Sequence, residues 1–374
     1  MTDSPVYLDH NGTTPVAPEV AAAMWPHLTE HFGNPSSATP YGRAARAAVE
    51  RAREQVAALI EARPDEITFT SGGTESNNLA IRGAAARAER RVAVTSVVEH
   101  PATVRPLELL EAEGWVVHRL PVDADGRASL AAFPGGPVGL GTLILAQNET
   151  GTLQPVPQLA EAVHRRGGVM HADAAQAVGK IPVSVAELGV DLMSIAGHKL
   201  YAPKGVGALY HRRGTKLAPM LVGAGQERGL RPGTENVAAI VGLGVAAELA
   251  AAALAAEPVR QHALRELLWQ QLAAGIPGLV RVSPARGCLP NTLMVAVPDR
   301  IGTDVLEAAP TVAASTGSAC HSGVHTPAAT LLAMGIEPDV ALGALRLTLG
   351  RGTTAEHVGL AASALIEAWR AGPR

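Results

Sequence analysis

Lys199 stands in Ser194-Ile195-Ala196-Gly197-His198-Lys199, just after the apolar Leu192-Met193 and at a strand-to-loop exit. The chain has only Lys180, Lys199, Lys204 and Lys216, and arginine supplies nearly all other basic charge. A lysine in that place suits chemistry that arginine cannot do, a neutral amine forming a Schiff base. Upstream, His171-Ala172-Asp173-Ala174-Ala175-Gln176 puts a carboxylate at the end of another apolar run. Together they meet the needs of pyridoxal 5'-phosphate (PLP). The amine holds the aldehyde and the carboxylate holds the pyridinium proton.

Other residues fit a site or a plainer role. Asp173 with Gln176 also fits a helix capping box. Thr70-Ser71-Gly72-Gly73-Thr74-Glu75-Ser76 reads as strand, glycine turn and helix start, whose N–H groups and hydroxyls suit a phosphate or simply cap the helix. His100 precedes a helix, where it is structural or an aromatic plate poised for proton transfer. Arg346 lies inside an apolar strand and needs a carboxylate, from a substrate or from an internal acid. Thr316-Gly317-Ser318-Ala319-Cys320-His321-Ser322-Gly323 reads as an exposed, flexible loop carrying a thiol, with His321 and His325 near enough in sequence to favour thiolate. Cys288 has no such setting and reads as structural.

The elements that position these residues alternate. Helices are predicted over 38–61, 77–89, 101–113 and 157–166. Strands are predicted over 66–70, 91–96, 115–120, 142–146 and 168–171. Repeated βα units imply an α/β fold with a mostly parallel sheet covered on both faces. Ligands then collect at the carboxyl ends of its strands, where the candidates lie. Near residue 255 the texture changes to a helix over 258–273, strands over 292–297 and 345–349, and a helix over 354–371. That is a second, smaller α+β domain.

A length of 374 residues suits two domains and an ample core. A net charge of -3 gives no footprint for nucleic acid or an anionic membrane. The apolar stretch 237–256 approaches membrane-span length but contains Glu248, so it reads as a buried or dimer-facing helix. No signal peptide is visible, and two cysteines make no disulfide framework, so a cytoplasmic location is expected. No metal set is evident.

The order of the motifs is more specific than any one of them. Tyr7-Leu8-Asp9-His10-Asn11-Gly12-Thr13-Thr14-Pro15, Phe32-Gly33-Asn34-Pro35-Ser36-Ser37, the SGGTES turn and Gln147-Asn148-Glu149-Thr150-Gly151 come first. HADAAQ, GHK, Gln226-Glu227-Arg228, Arg231-Pro232-Gly233-Thr234-Glu235-Asn236 and GSACHSG follow. This series, over 7–354, resembles the cysteine desulfurases, PLP enzymes of the class V aminotransferase family, and is also similar to selenocysteine lyases.

The resemblance implies PLP fold type I: a large domain over 15–255 with a seven-stranded, mostly parallel sheet, and a small α+β domain made of 1–14 and 256–374. It implies that Lys199 binds the cofactor, Asp173 pairs with its ring nitrogen and Gln176 with its ring oxygen, and His100 stacks on the ring and joins the catalysis. Gly73, Thr74 and His198 would hold the phosphate, joined by Thr234 from the other subunit of a homodimer. Asn34, Asn148 and Arg346 would orient the substrate, L-cysteine. Cys320 would be the nucleophile that keeps the sulfur as a persulfide, on a loop long enough to deliver it to an acceptor or cluster-scaffold protein. One position departs from the pattern. Many members have Ser before Gly-His-Lys, touching the phosphate, and this chain has Ala196. The missing bond would be worth about 1.5–3 kcal/mol.

Overall fold

The computed structural model describes residues 4–321 and 324–372, and the side chains of all of these except 318–321 and 324–325. Seven strands form one sheet in the order Ile67–Thr70, Gly207–His211, Leu192–Ala196, Val169–Asp173, Leu140–Ile144, Val92–Ser96, Val116–Leu120. All neighbours are parallel except those of Gly207–His211, which runs antiparallel to both its partners. The central strands Leu140–Ile144 and Leu192–Ala196 are buried at every position. Continuous apolar strands of this kind require helices on both faces.

Helix Gly73–Ala85 packs against strands Leu192–Ala196 and Gly207–His211, and helix Val156–Arg165 against Leu140–Ile144 and Val169–Asp173. The apolar stretch at 237–256 forms helix Val237–Ala253, packed against Pro18–Thr29 and Pro40–Leu59. A Cβ on Gly244 would stand 2.7 Å from the Ala52 Cα, so glycine permits that close crossing. The chain then bends by 75° into helix Glu257–Gly275. No single helix among the described residues is long and apolar enough to cross a membrane.

A second sheet follows, in the order Ser315–Thr316, Ala344–Thr348, Thr292–Ala296, Val280–Arg281, antiparallel throughout. Helices Glu257–Gly275 and Ala355–Ala371 pack together, and Leu268, Leu272, Leu293, Val295, Leu345, Leu347 and Leu365 share one core with them. The N-terminal strand Val6–Tyr7 pairs with Val312–Ala313, and Leu8 lies in the same core. Period-two alternation sends Leu345 and Leu347 into that core and leaves Arg346 on the opposite face.

Some elements differ from the sequence-based expectation. The helix expected from Asn77 starts at Gly73, because two glycines and a threonine mask a helix start in propensity alone. Strand Gly207–His211 and helix Pro18–Thr29 were not among the predicted elements, although Pro18 and Glu19 are helix-start residues. The segment expected as a loop forms a hairpin of Ser318–His321 with Val324–Pro327, placing Cys320 opposite His325. Ser322 and Gly323 lie outside the described residues, as does the Cys320 side chain with its expected nucleophilic role.

Candidate active site

A cavity of ≈ 390 Å³ opens where the carboxyl ends of Leu140–Ile144, Val169–Asp173 and Leu192–Ala196 face the start of helix Gly73–Ala85. Lys199, Asp173, Gln176, His100, His198, Asn148, Arg346, Gly73 and Thr74 all line it. A larger cleft of ≈ 620 Å³ runs past Pro298, Arg300 and Asp304, but its lining holds no amine or thiol.

Lys199 sits in the short turn Gly197–Lys199 that closes strand Leu192–Ala196. Its Nζ donates to the main-chain oxygens of Asn11 (2.5 Å) and Gly12 (2.7 Å). Burial first, then the nearby Arg346, push its pKa down to about 8, against opposing pulls from Asp9 and Asp173. A neutral amine is therefore accessible near physiological pH.

Asp173 ends its strand at 4% exposure. Its Oδ2 accepts from Asn77 Nδ2 (2.6 Å) and its Oδ1 from the Ala175 N–H (3.0 Å). These bonds fix the carboxylate at the cavity wall. His100 caps helix Pro101–Ala112, its Nδ1 accepting from the Ala102 N–H at 3.1 Å. Because that N–H can only donate, the neutral ring carries its proton on Nε2. Burial lowers the His100 pKa, with Asp173 opposing. That shift favours the neutral ring.

Gly72 has φ 149°, a conformation open to glycine, which turns the chain sharply into helix Gly73–Ala85. The first N–H groups of this helix and the Thr74 hydroxyl form an anion cradle. A Cβ built on Gly73 would lie 3.3 Å from the Ala196 Cβ, so Ala196 stands directly against the cradle. His198 Nδ1 bonds Thr13 Oγ1 at 3.1 Å. Burial and the lysines 199, 204 and 180 hold its pKa down to about 4.

Arg346 has an internal acid partner. Its Nη2 donates to Asp9 Oδ1 (2.8 Å) and Ser315 Oγ (3.1 Å), and its Nη1 to the Asn148 main-chain oxygen (3.3 Å). Its buried Nε has no partner among the described residues, and the Arg346 side chain also lines the cavity. Of the two alternatives left open in the sequence, the internal acid is the one observed, in Asp9.

The structure does not bring every candidate together. Asn34 is exposed and absent from the cavity lining, with Oδ1 accepting from the Ser36 N–H at 2.9 Å. Thr234 is likewise exposed and outside this chain's cavity. Cys288 is an inert thiol, its pKa pushed up to about 11 by burial. Sequence reasoning missed Asn11, Asn77, Lys180 and Glu99. Asn11 lies in the first motif of the resemblance and Lys180 is one of four lysines, which were the available signals. Asn77 and Glu99 gave none, because folding alone brings them to Asp173 and to the end of strand Leu140–Ile144.

The donor set fits PLP. It supplies a buried carboxylate, an amine with a depressed pKa, an anion cradle at a helix start and an unpartnered guanidinium nitrogen. Residues 6–360 match the model of the aminotransferase class-V family. The chain belongs to that family, and its members are PLP-dependent enzymes. Its curated relatives include a cysteine desulfurase of Rhodobacter capsulatus, 45% identical over 96% of this chain and 94% of the relative. The cysteine desulfurase NifS of Azotobacter vinelandii is 44% identical over 94% and 90%. A solved NifS-like protein superposes with a TM-score of 0.91 at 35% identity, covering 97% of this chain and 98% of the other.

Proposed function

We propose that this chain is a PLP-dependent cysteine desulfurase, converting L-cysteine to L-alanine and keeping the sulfur as a persulfide on Cys320. The observation that carries this reading is the convergence of Lys199, Asp173 and Arg346 on one cavity, with the Cys320 hairpin following the strand that pairs with Arg346.

Asp173 would hold the ring nitrogen, Gln176 the ring oxygen, His100 the ring face, and Gly73, Thr74 and His198 the phosphate. Bound PLP supplies the electron sink that weakens first the Cα–H and then the C–S bond of the substrate. Arg346 takes the substrate carboxylate, helped by Asn148. The Lys199 amine takes the Cα proton, which its low pKa permits at neutral pH. The Cys320 thiolate then attacks the substrate sulfur. An S–S bond forms, the C–S bond breaks, and its electron pair stays with the carbon skeleton that becomes alanine after protonation.

The persulfide passes to an acceptor protein, and iron-sulfur cluster assembly is the pathway suggested by the names of the NifS and IscS relatives. The working form is a homodimer in the cytoplasm. Support for the dimer comes from Asn34 and Thr234, which lie outside the chain's own cavity, and from exposed Phe32 (71%), Tyr41 (60%) and Val222 (92%) in the same loops or beside them.

The test is alanine formation from L-cysteine and from L-selenocysteine, by wild type and Cys320→Ala. A desulfurase turns over cysteine and loses that activity on the order of 10³-fold or more without the thiol. Turnover of selenocysteine alone, or full cysteine turnover by Cys320→Ala, would refute the reading, the first outcome in favour of a selenocysteine lyase.

A further inference from the structure

Lys180 lies behind the cavity, in the non-helical turn that follows strand Val169–Asp173 and carries Gln176, and takes no part in the reaction described above. Its Nζ donates to Gln176 Oε1 (2.6 Å) and to Asn11 Oδ1 (2.7 Å). Asn11 is held from a second side by Asn291 Nδ2, which donates to the same Oδ1 at 3.1 Å. The other end of the Gln176 amide, Nε2, donates to the Asn11 main-chain oxygen at 2.9 Å. That same oxygen accepts from Lys199 Nζ.

We propose that Lys180 is a positioning residue that locks the Gln176 carboxamide, so that only N–H faces the cavity and whatever oxygen binds there. A carboxamide is nearly symmetric in shape, and its orientation is set by its partners. Turning this one over would put Nε2 against Lys180, two donors facing each other, and Oε1 against the Asn11 oxygen, two acceptors. Both contacts of the present orientation would be lost. The second Nε2 hydrogen then has the cavity as its outlet, since Gln176 lines it. For the ammonium, which has no lone pair, both contacts oppose the turn; for the amine the Asn11 contact still does, because two acceptor oxygens would face each other. Burial, with Lys199 and Arg346 nearby, holds the Lys180 pKa well below its ordinary value. His10 and His198 also feel its charge.

This inference rests on PLP as the cofactor, with its phenolic oxygen against Gln176. A donor on that oxygen weakens its hold on the proton shared with the Lys199 nitrogen. Loss of the donor raises the pH at which that proton leaves.

The test is a double-mutant cycle of Lys180→Met, Gln176→Met and the pair, with Lys180→Arg as rescue. The readouts are the pH midpoint of the visible cofactor band, the PLP dissociation constant and the melting temperature. K180M should raise the midpoint by about one unit, a tenfold shift in the proton equilibrium, and weaken PLP binding several-fold. The double variant should match Q176M, because both losses act through one amide. K180R should restore the wild-type midpoint. An unchanged midpoint in K180M, or additive shifts in the pair, would overturn the lock. Should K180M fail to fold, the cycle is run with Lys180→Gln, which keeps a donor for one acceptor only and should give an intermediate shift; no shift would again overturn the proposal. A wild-type protein that shows no cofactor band with added PLP would refute the cofactor reading instead.

Discussion

Lys199 should capture PLP with the pH dependence of an amine far more acidic than free lysine. Only the neutral amine attacks an aldehyde, so capture by the cofactor-free protein follows the neutral fraction. With an ordinary pKa of 10.5, that fraction at pH 7 is about 0.03%. With the pKa pushed down to about 8, it is roughly 9%, a gain of about 300-fold. The cause is burial first, then Arg346. Stopped-flow absorbance of the cofactor-free protein mixed with PLP measures the rate across pH. It should rise tenfold per unit below about pH 8 and level off above. The charged neighbours give the reasoning a second check of sign. Arg346→Met removes a cation that lowers the pKa and should move the break upward. Asp9→Asn removes an anion that raises it and should move the break downward. A rate that climbs without a break to pH 10, or a break moved the same way by both variants, would refute the electrostatic account.

Ala196→Ser should tighten PLP binding roughly 10- to 100-fold, from one charged hydrogen bond of about 1.5–3 kcal/mol, because position 196 stands against the phosphate cradle. Equilibrium dialysis checks it, and an unchanged constant would mean the cradle lacks nothing. Arg346→Met should raise KM for cysteine by about 10- to 100-fold through loss of carboxylate binding, as read from steady-state alanine formation. Glu99 makes a pH-dependent contribution to stability. Burial, with Asp173 adding to it, pushes its carboxyl up to about 8, while Ser96 and Ile144 partly oppose. The folded state therefore holds a proton that the unfolded state releases above about 4.5. Stability falls as pH rises from there to about 8. Glu99→Gln can keep the bonds to Ser96 Oγ and the Ile144 N–H and should flatten that fall. Melting temperatures at pH 6 and pH 9 test it, and an unchanged difference between the two would count against a buried protonated carboxyl.

The chemistry was legible because it is written in residue types that few other roles demand. A lysine at a strand exit in a chain that otherwise uses arginine, an aspartate closing an apolar run, and a glycine turn after a strand are local signals. Each strand end that carries one lies in the parallel sheet, so βα alternation alone predicts that they meet at one edge. Ala196 as a departure was also a property of the sequence. The amine, the carboxylate and the cradle were therefore set by composition and order.

Tertiary structure decided what neighbours those groups have. Asp9 and Arg346 are 337 residues apart, and Asn11 and Lys180 are 169 apart, so no local pattern pairs them. The depressed pKa of Lys199 arises from burial and from a cation on another sheet, and neither is encoded near residue 199. Gly207–His211 runs antiparallel within a mostly parallel sheet because the link from Leu192–Ala196 is too short for the crossover a parallel neighbour needs. Asn34 reads in the sequence like any other site residue, and only the folded chain puts it outside its own cavity. Local sequence fixes the kind of group present, whereas burial and long-range pairing fix its charge, its orientation and what it can reach.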